Sequence, residues 1–379
     1  MARNIERIPL LPSSPGVQRH IHCHRYGTPG ARPKAYLQAS LHADEIPPML
    51  VQHHLIRLLD QAERDGRIRG EILVVPMANP MGAGQVLNQT LLGRYELASG
   101  GNFNRNWPDL SAGLADAVRE SLSDDAVANA ATIRKAMGEA LAGMTATNEM
   151  SSLRLALARL ACDADIALDL HCDYEALLHL YLIPALWPSA SDLAAEIGAR
   201  AVMVAPDSGG RSFDEAMSTP WTKLAAAIPD RPIPPAGLAA TIEYRGNADV
   251  ADELAMPDAE ALLRFLMRRG LVAGDPGPLP ALQAEATDFA ACDVVRVPAA
   301  GIIAYKQPLG AIVAKGTVIA ELVDPLAADP LQARTPVMTA TDGLLLTRRL
   351  DRLVRPGDTI AKIVGKEPLA YRKGLLLED

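Results

Sequence analysis

The segment Ser40–Glu45, with the sequence SLHADE, constrains the fold of this chain more than any other. The apolar run 35–39 before it is typical of a buried strand, and the pattern from about 47 to 59 after it is typical of a helix. His42 and Glu45 are therefore predicted at the carboxyl end of a strand, where open α/β sheets place their ligands. The His-x-x-Glu spacing puts an imidazole and a carboxylate on the same side of the chain. Both groups are metal ligands, and a catalytic zinc usually takes three protein ligands plus water.

A third ligand is expected from a second strand. The apolar run 164–170 is typical of a buried strand and ends in His171. A histidine in such a place is more often structural when it stands alone. Because the predicted strand ends meet at the same edge of the sheet, His171 joins His42 and Glu45 as a candidate ligand. Asp169 could orient a ligating histidine through a hydrogen bond.

Glu243 is a candidate general base. The strand-like run 238–242 leads directly into it. A buried strand that ends in a carboxylate is unusual, since an unpaired buried charge is costly. A nearby metal and partial burial would tune the pKa of this carboxyl for proton transfer. The alternative is an ordinary surface ion pair with Arg245 or with a lysine.

A long segment from 79 to 110 has no hydrophobic periodicity and is rich in Gly, Asn and Pro. Loops of this length in compact domains are usually functional or disordered. This one contains Arg94 and the run 100–107, which includes Asn104 and Arg105. Arginines and amides in a glycine-rich loop suit the binding of a carboxylate or an oxyanion. The alternative is a surface loop whose arginines face water.

Two other polar segments are open to more than one interpretation. His20, His22 and His24 share one face of a strand predicted over 20–26. A second metal site is conceivable there, but no carboxylate or cysteine completes the set, so a polar strand face is favoured. The polar stretch 208–218 has the composition of a mobile segment and is a candidate lid.

The chain is long enough, at 379 residues, for two domains. The run 70–76 is typical of a further buried strand, so strand, helix and strand alternate as in a parallel α/β domain. A helical pattern from 252 to 269 closes this part, and the stretch 274–280 (GDPGPLP) has the composition of a linker. We therefore expect a first domain over residues 1–274, with the metal site, and a second over residues 281–379.

An internal repeat follows the linker. Residues 313–323 (VAKGTVIAELV) match residues 354–364 (VRPGDTIAKIV), and a turn with Gly301 or Gly343 precedes each copy. Two related all-β halves predict a small barrel-sandwich domain like the lipoyl and biotinyl carrier domains. Those domains carry a modified lysine at a hairpin tip, whereas the corresponding stretch 321–325 (ELVDP) has no lysine. A swinging-arm function is therefore not expected.

The composition indicates which binding partners and which cellular compartment to expect. The net charge is −8 and no basic run occurs, which argues against a nucleic-acid partner. No apolar stretch reaches the ~18 residues that span a membrane, and residues 1–15 lack a hydrophobic signal region. The four cysteines have no CxxC spacing, which suits reduced thiols. The sequence therefore predicts a cytoplasmic protein with no membrane partner.

Joined together, these motifs resemble a known family. His42-x-x-Glu45, Asn104-Arg105, His171 and Glu243 follow the order seen in zinc carboxypeptidases. With its C-terminal β domain, the chain resembles the succinylglutamate desuccinylase/aspartoacylase family over nearly its whole length. The resemblance implies an α/β fold with a mixed, mostly parallel sheet flanked by helices, and a smaller all-β barrel-sandwich domain.

The resemblance also implies roles for the site residues. His42, Glu45 and His171 would bind one zinc ion per chain, and Glu243 would activate the zinc-bound water. Arg94 would polarise the scissile carbonyl. The substrate carboxylate would be bound by Asn104 and Arg105. The active-site tyrosine of the family has no clear counterpart here, and Tyr244 and Tyr305 are the candidates.

The function that this resemblance implies is zinc-dependent hydrolysis of the amide bond in a small, carboxylate-bearing N-acyl amino acid. A metallocarboxypeptidase that acts on peptides would use the same metal and arginine. A catalytically inactive binding or carrier protein is the third hypothesis, which the intact set of ligands, base and arginine opposes. The acyl group and the amino acid stay open. The oligomeric state also stays open, although homo-oligomers are common among such enzymes.

Overall fold

The structure, a computed structural model, describes residues 3–377. It combines a large mixed sheet flanked by helices with a C-terminal part of two antiparallel sheets. The predicted α/β architecture with an additional all-β part is therefore confirmed. Within residues 3–377, the strands of the first part are β1 (Asn4–Pro9), β2 (His20–Tyr26), β3 (Lys34–Ala39), β4 (Glu71–Val75), β5 (Val86–Leu87), β6 (Thr90–Leu91), β7 (Ile166–Asp173), β8 (Glu175–Ala176), β9 (His179–Leu182), β10 (Ala201–Val204), β11 (Leu238–Gly246) and β12 (Ala286–Asp288).

The α-helices lie between these strands. They are α1 (Pro47–Arg64), α2 (Leu114–Val118), α3 (Ala126–Gly143), α4 (Glu149–Ala161), α5 (Ser191–Ile197), α6 (Phe213–Ala227) and α7 (Asp252–Arg268). Proline occupies the start of α1, where the missing N–H would have no helical partner. Asn148 caps α4 by accepting a hydrogen bond from the Ser151 amide, which separates this helix from α3.

The large sheet has the strand order β1-β2-β4-β3-β7-β11-β9-β10-β12. Its centre, β4-β3-β7-β11, is parallel, and β9 is antiparallel to β11. Every residue of β3 is buried, as expected for a strand covered on both faces. Helices α1, α5 and α7 form one core with the sheet, and α2, α3, α4 and α6 form the other. The carboxyl ends of β3 and β7 consequently meet at one edge.

The C-terminal part contains β13 (Cys292–Arg296), β14 (Gly301–Tyr305), β15 (Ile312–Val313), β16 (Val318–Val323), β17 (Arg334–Met338), β18 (Gly343–Arg348), β19 (Leu353–Val354) and β20 (Thr359–Val364). The two copies of the repeat form equivalent pairs, β14 with β16 and β18 with β20. They also exchange short strands, since β19 pairs with β14 and β15 pairs with β18. A Cβ atom on Gly301 or Gly343 would lie 2.6 or 2.3 Å from the carbonyl oxygen of Val323 or Val364. Both glycines are therefore required by close strand approach.

Two strand pairings join the C-terminal part to the large sheet. After the predicted linker, β12 lies parallel to β10 at the edge of the sheet. The short strand β8, which directly follows β7, pairs with β18. These pairings place the C-terminal sheets next to the carboxyl end of β7. The division into domains at residues 1–274 and 281–379 remains a proposal. Among the described residues, no helix is both long enough and apolar enough to cross a membrane.

Candidate functional site

The loop after β3 is held in an unusual backbone conformation. Ser40 has a φ of 62°, a region that residues other than glycine adopt infrequently. The Ala43 amide donates a hydrogen bond to the Gly93 carbonyl oxygen at 3.0 Å. A Cβ atom on Gly93 would lie 2.2 Å from the Asp44 nitrogen, so only glycine allows the two segments to pack this closely. The contact fixes His42 relative to the segment that carries Arg94.

The structure brings together His42, Glu45 and His171. One potential ligand atom from each lies within 4.8 Å of the others, and all three side chains are buried. The Nδ1 atom of His42 lies 2.8 Å from Oε1 of Glu45, and the Nδ1 atom of His171 lies 2.7 Å from Oε2. No other group of this kind occurs among residues 3–377. In β2, His22 is exposed while His20 and His24 are half-buried, in agreement with a polar strand face.

The outward nitrogens of both histidines are held by oxygen acceptors. The Nε2 atom of His42 lies 2.9 Å from Oδ1 of Asn102, and that of His171 lies 2.8 Å from Oδ2 of Asp169. An amide oxygen accepts and an ionised carboxylate accepts, so each Nε2 carries the hydrogen. Each Nδ1 atom then faces the carboxylate of Glu45. Either a proton or a metal ion can lie between these groups, and a divalent metal fits the donor set.

The charges around the triad shift the pKa values of its two histidines in opposite directions. Burial, together with Arg94, lowers the pKa of His42 to about 4, so this ring is neutral. Although burial opposes it, the carboxylates of Asp169 and Glu45 raise the pKa of His171 well above its usual value. His171 therefore holds a proton in the metal-free site, and a metal cation would take the place of that proton.

Arg94 lies beside the ligand carboxylate. Its Nη1 atom is 3.2 Å from Oε1 of Glu45 and 3.3 Å from Nδ1 of His42. Burial disfavours the charged guanidinium, but Glu45 more than compensates and raises its pKa above the usual value. A charged donor therefore faces the place where the three ligands converge.

Asn104 is a packing centre as well as a cavity residue. Its Oδ1 atom accepts hydrogen bonds from the indole of Trp107 at 3.0 Å and from the amide of Phe213 at 2.9 Å. Its Nδ2 atom lies 3.3 Å from Nε2 of His171. Arg105 donates to the Asn104 carbonyl oxygen at 2.9 Å and lines the cavity. Asn104 thus links the loop, α6 and the strand that carries His171.

Glu243 lies opposite His171 in the register of β11 and β7. Its Oε2 atom is buried and has no hydrogen-bond partner among the described residues. Burial, with the nearby Glu45 carboxylate, raises the pKa of Glu243 to about 8. The alternative of an ion pair with Arg245 is wrong, because that arginine pairs with Asp258. Glu243 is instead a half-buried carboxyl group that lines the cavity.

The second half of the polar stretch 208–218 is helical. Helix α6 begins at Phe213, and both Asp214 and Glu215 in its first turn are buried. Both also line the cavity, and the sequence analysis did not find them. The spacing Ser212-x-x-Glu215, which is typical of a helix start, was the available signal. Burial and the Glu215 carboxylate raise the pKa of Asp214 to about 7.

These residues surround one cavity of 280 Å³ between the large sheet and the C-terminal part. The C-terminal wall includes Val294, Arg296, Thr347, Arg348, Arg349 and Lys362. Tyr174 and Tyr181 line the cavity, whereas the proposed Tyr244 and Tyr305 do not. Tyr244 is buried in the core beneath the sheet, and the Tyr305 hydroxyl donates to the Ile360 carbonyl oxygen at 2.5 Å. Strand alternation explains why Tyr244 does not line the cavity. Tyr244 directly follows Glu243 on the same strand, so its side chain points to the opposite face of the sheet.

Comparison with known proteins gives a family and a fold. The model of the succinylglutamate desuccinylase/aspartoacylase catalytic domain matches residues 31–226, just over half of the chain. That range contains all three candidate metal ligands, Arg94 and the Asn104-Arg105 pair, but not Glu243. No curated protein sequence is a significant match for the chain.

Several solved structures share the fold at low sequence identity. A Shewanella amazonensis protein named for this family is 23% identical over 95% of this chain and 98% of its own, with a TM-score of 0.84. A protein of Shewanella frigidimarina named for the same family is 22% identical over 96% of this chain and 98% of its own, with a TM-score of 0.85. The ectoine utilization protein of Ruegeria pomeroyi is 18% identical over 96% of this chain and 95% of its own, with a TM-score of 0.64. The shared fold therefore includes the C-terminal part.

Proposed function

The chain belongs to the succinylglutamate desuccinylase/aspartoacylase family, and we propose that it is a zinc-dependent amidohydrolase. Its substrate on this proposal is a small N-acyl amino acid that bears a carboxylate. The observation that carries the proposal is the buried group His42, Glu45 and His171, which opens onto the same cavity as Glu243 and Arg94.

We assign one zinc ion to the triad. Two histidines and one carboxylate are a recurrent donor set of catalytic zinc, and they leave a further position for water or substrate. A zinc ion held by these residues would supply a water with a pKa lowered to roughly 7 and would polarise a carbonyl oxygen. Asn102 and Asp169 hold the two histidine rings in the ligating orientation through their Nε2 atoms.

Glu243 acts as the general base in this proposal. It accepts the proton of the attacking water and then gives that proton to the leaving amine. Two observations support the role. The carboxyl group faces the cavity one strand away from His171, and its Oε2 atom is not committed to any hydrogen bond among the described residues. A pKa raised toward neutrality suits a group that must both take and release a proton.

Arg94 stabilises the negative charge that develops on the carbonyl oxygen. Its guanidinium lies 3.2 Å from the ligand Glu45 and is already oriented in the resting site. A donor that is oriented before the reaction costs no reorganisation in the transition state. The same guanidinium also offsets the charge of Glu45 when the cavity excludes water.

Arg105 and Asn104 bind the substrate carboxylate. Arg105 supplies the charge and the paired N–H donors that match a carboxylate. Asn104 positions the Arg105 side chain, because its backbone carbonyl oxygen accepts a hydrogen bond from Arg105 at 2.9 Å. The Asn104 side chain is itself fixed, since its Oδ1 atom accepts a hydrogen bond from the Phe213 amide at the start of α6. A substrate held here reaches the triad, because Asn104 also contacts His171.

The size of the cavity favours a deacylase over a peptidase. Ligand pockets commonly measure roughly 300–1,000 Å³, and the cavity here measures 280 Å³. The C-terminal sheets form one of its walls, so an extended polypeptide would have to displace them. The complete set of ligands, base and oxyanion donor opposes the third hypothesis of an inactive binding protein.

A substrate panel tests the proposal. The full chain, loaded with one equivalent of zinc, is incubated with N-acetyl and N-succinyl amino acids and with dipeptides of the same C-terminal residues. Chromatography measures the released amino acid. We expect hydrolysis of at least one N-acyl amino acid with a higher kcat/KM than any dipeptide. Faster dipeptide cleavage would favour the carboxypeptidase, and no cleavage by the zinc-loaded chain would favour the binding protein.

The matched control for this panel is Glu243→Gln. The substitution keeps the shape of the side chain and removes its ability to accept the water proton. Zinc content equal to the wild type with no turnover is expected, and residual turnover would reveal a contaminating hydrolase. Loss of zinc would instead make Glu243 a ligand.

A further inference from the structure

Lys362 of the C-terminal part reaches the active-site cavity. It lies on β20 opposite Val294 of β13, and it lines the cavity together with Glu243. Its Nζ atom donates a hydrogen bond to Oδ2 of Asp173 at 2.6 Å. The two side chains are largely buried, with 18% and 13% of their surfaces exposed. Asp173 is the last residue of β7, two positions after the metal ligand His171.

The internal repeat shows that Lys362 is not required by the β fold. The position equivalent to Lys362 in the first copy is Glu321. Glu321 pairs with Lys306 and Arg334 on the outer surface of the domain. The neighbouring equivalent positions, by contrast, keep their apolar character and their burial, as in the pairs Ile319 and Ile360, Ala320 and Ala361, and Leu322 and Ile363. The two copies therefore differ in charge where the second copy faces the large sheet.

The cavity near Lys362 is crowded with carboxylates. Glu45, Asp173 and Glu243 all line it, and the buried Oε2 atom of Glu243 has no hydrogen-bond partner among residues 3–377. The positive charge of Lys362 acts on Glu243 and partly opposes the effect of burial on its pKa. Lys362 is thus a cation that the C-terminal part supplies to this cavity and that acts on Glu243. Removing it would leave the Asp173 carboxylate buried without a counter-ion.

We propose that Lys362 is a positioning residue of the active site. Through Asp173 it fixes the end of the strand that carries His171, and its ammonium group keeps the Glu243 carboxylate oriented for proton transfer. The C-terminal part therefore completes the active site as well as closing the cavity. This inference rests on the proposed function, since it assigns the ammonium group to the base of that reaction.

The test compares Lys362→Met, Lys362→Arg and the double variant Asp173→Asn/Lys362→Met in the zinc-loaded full chain. The double variant removes both charges, so it avoids an uncompensated buried carboxylate. The substrate is the N-acyl amino acid that gives the highest kcat/KM in the panel described above. We expect kcat to fall about tenfold or more in Lys362→Met and in the double variant, with KM within about twofold of wild type. Lys362→Arg should recover most of kcat because it keeps the charge.

Glu175→Gln is the matched control. Glu175 also joins the two parts, through Arg348 at 2.9 Å and Arg352 at 2.5 Å, but it does not line the cavity. Its variant should keep wild-type kcat. An equal loss of kcat in Glu175→Gln would show that docking alone matters and would overturn the proposal, as would wild-type kcat in the double variant.

A crystal structure of the zinc-loaded double variant gives a readout that is independent of activity. We expect a displaced Glu243 carboxylate with the zinc ligands unchanged. A Glu243 side chain in its wild-type position would overturn the proposal. If the wild-type chain itself hydrolyses no member of the panel, the proposed function fails, and the structural comparison still tests the positioning role of Lys362.

Discussion

Glu243 and His171 lie opposite each other on neighbouring parallel strands, β11 and β7. This register places the candidate base on the strand next to the one that carries the candidate metal ligand His171. Because both strands lie in the centre of the large sheet, their relative position is set by backbone hydrogen bonds. A site built on strands is held more rigidly than one built on loops, which suits proton transfer over short distances.

Replacement of Arg94 by alanine should lower kcat about a hundredfold or more, because one oxyanion donor is typically worth ~3 kcal/mol. Zinc content should remain at the wild-type level, since Arg94 is not a ligand. Steady-state kinetics and elemental analysis measure the two effects. Arg7→Ala, which removes an exposed arginine on β1, is the control. Near-normal kcat in Arg94→Ala would remove this residue from the mechanism.

Glu243 should make the stability of the metal-free protein dependent on pH. Its folded-state pKa of about 8 lies above the usual value of 4.5. Between these values the folded state holds a proton that the unfolded state has released, so stability falls as pH rises through this window. The melting temperature of Glu243→Gln, measured in chelator, should therefore exceed that of the wild type by more at pH 8.5 than at pH 4.5. A difference that does not depend on pH would contradict the burial of this carboxyl.

Replacement of Arg105 by glutamine should raise KM about tenfold or more and change kcat little. The reason is that a carboxylate held away from the scissile bond is bound equally in the ground state and the transition state. Arg105→Lys should not restore KM fully, because lysine lacks the paired donors of the guanidinium. A fall in kcat at constant KM would place Arg105 at the reacting atoms instead.

Replacement of Asn104 by alanine should destabilise the fold. The buried amide of Phe213 and the indole of Trp107 would lose their shared acceptor. An unsatisfied buried donor costs about 1–3 kcal/mol, so the loss should fall in or above this range. Urea unfolding of the metal-free protein measures it. Asn4→Ala, at the exposed start of β1, is the comparison variant and should be nearly neutral. Equal stabilities for the two variants would show that Asn104 acts only on substrate.

Much of the site could be predicted from sequence because its residues follow strand ends. The apolar runs before Ser40, His171 and Glu243 identified buried parallel strands, and the carboxyl ends of such strands meet at one edge. The order of these motifs also gave the family, which the comparison confirmed. The internal repeat likewise predicted the equivalent strand pairs of the C-terminal part.

The remaining features depend on contacts between segments that are distant in sequence. Asn102 reaches His42 from a loop without periodicity, and Lys362 reaches Asp173 from the other part of the chain. Nothing local in either sequence segment indicates these partners. Asp214 is a different case, because the polar composition of 208–218 predicts a mobile segment, whereas the spacing Ser212-x-x-Glu215 around it indicates the helix start that the structure has. The tyrosines that line the cavity could not be chosen from sequence, because Tyr181 depends on the orientation of β9 and Tyr174 on the bend between β7 and β8.

The metal content of the purified chain tests the central claim most directly. Elemental analysis is made on the wild type and on His171→Ala, both purified without chelator, with His22→Ala as a control for an exposed histidine. The account predicts about one zinc per chain in the wild type and in His22→Ala, and little in His171→Ala. A wild-type protein that is folded, free of metal and unable to take up zinc would contradict the metal centre and the hydrolase built on it.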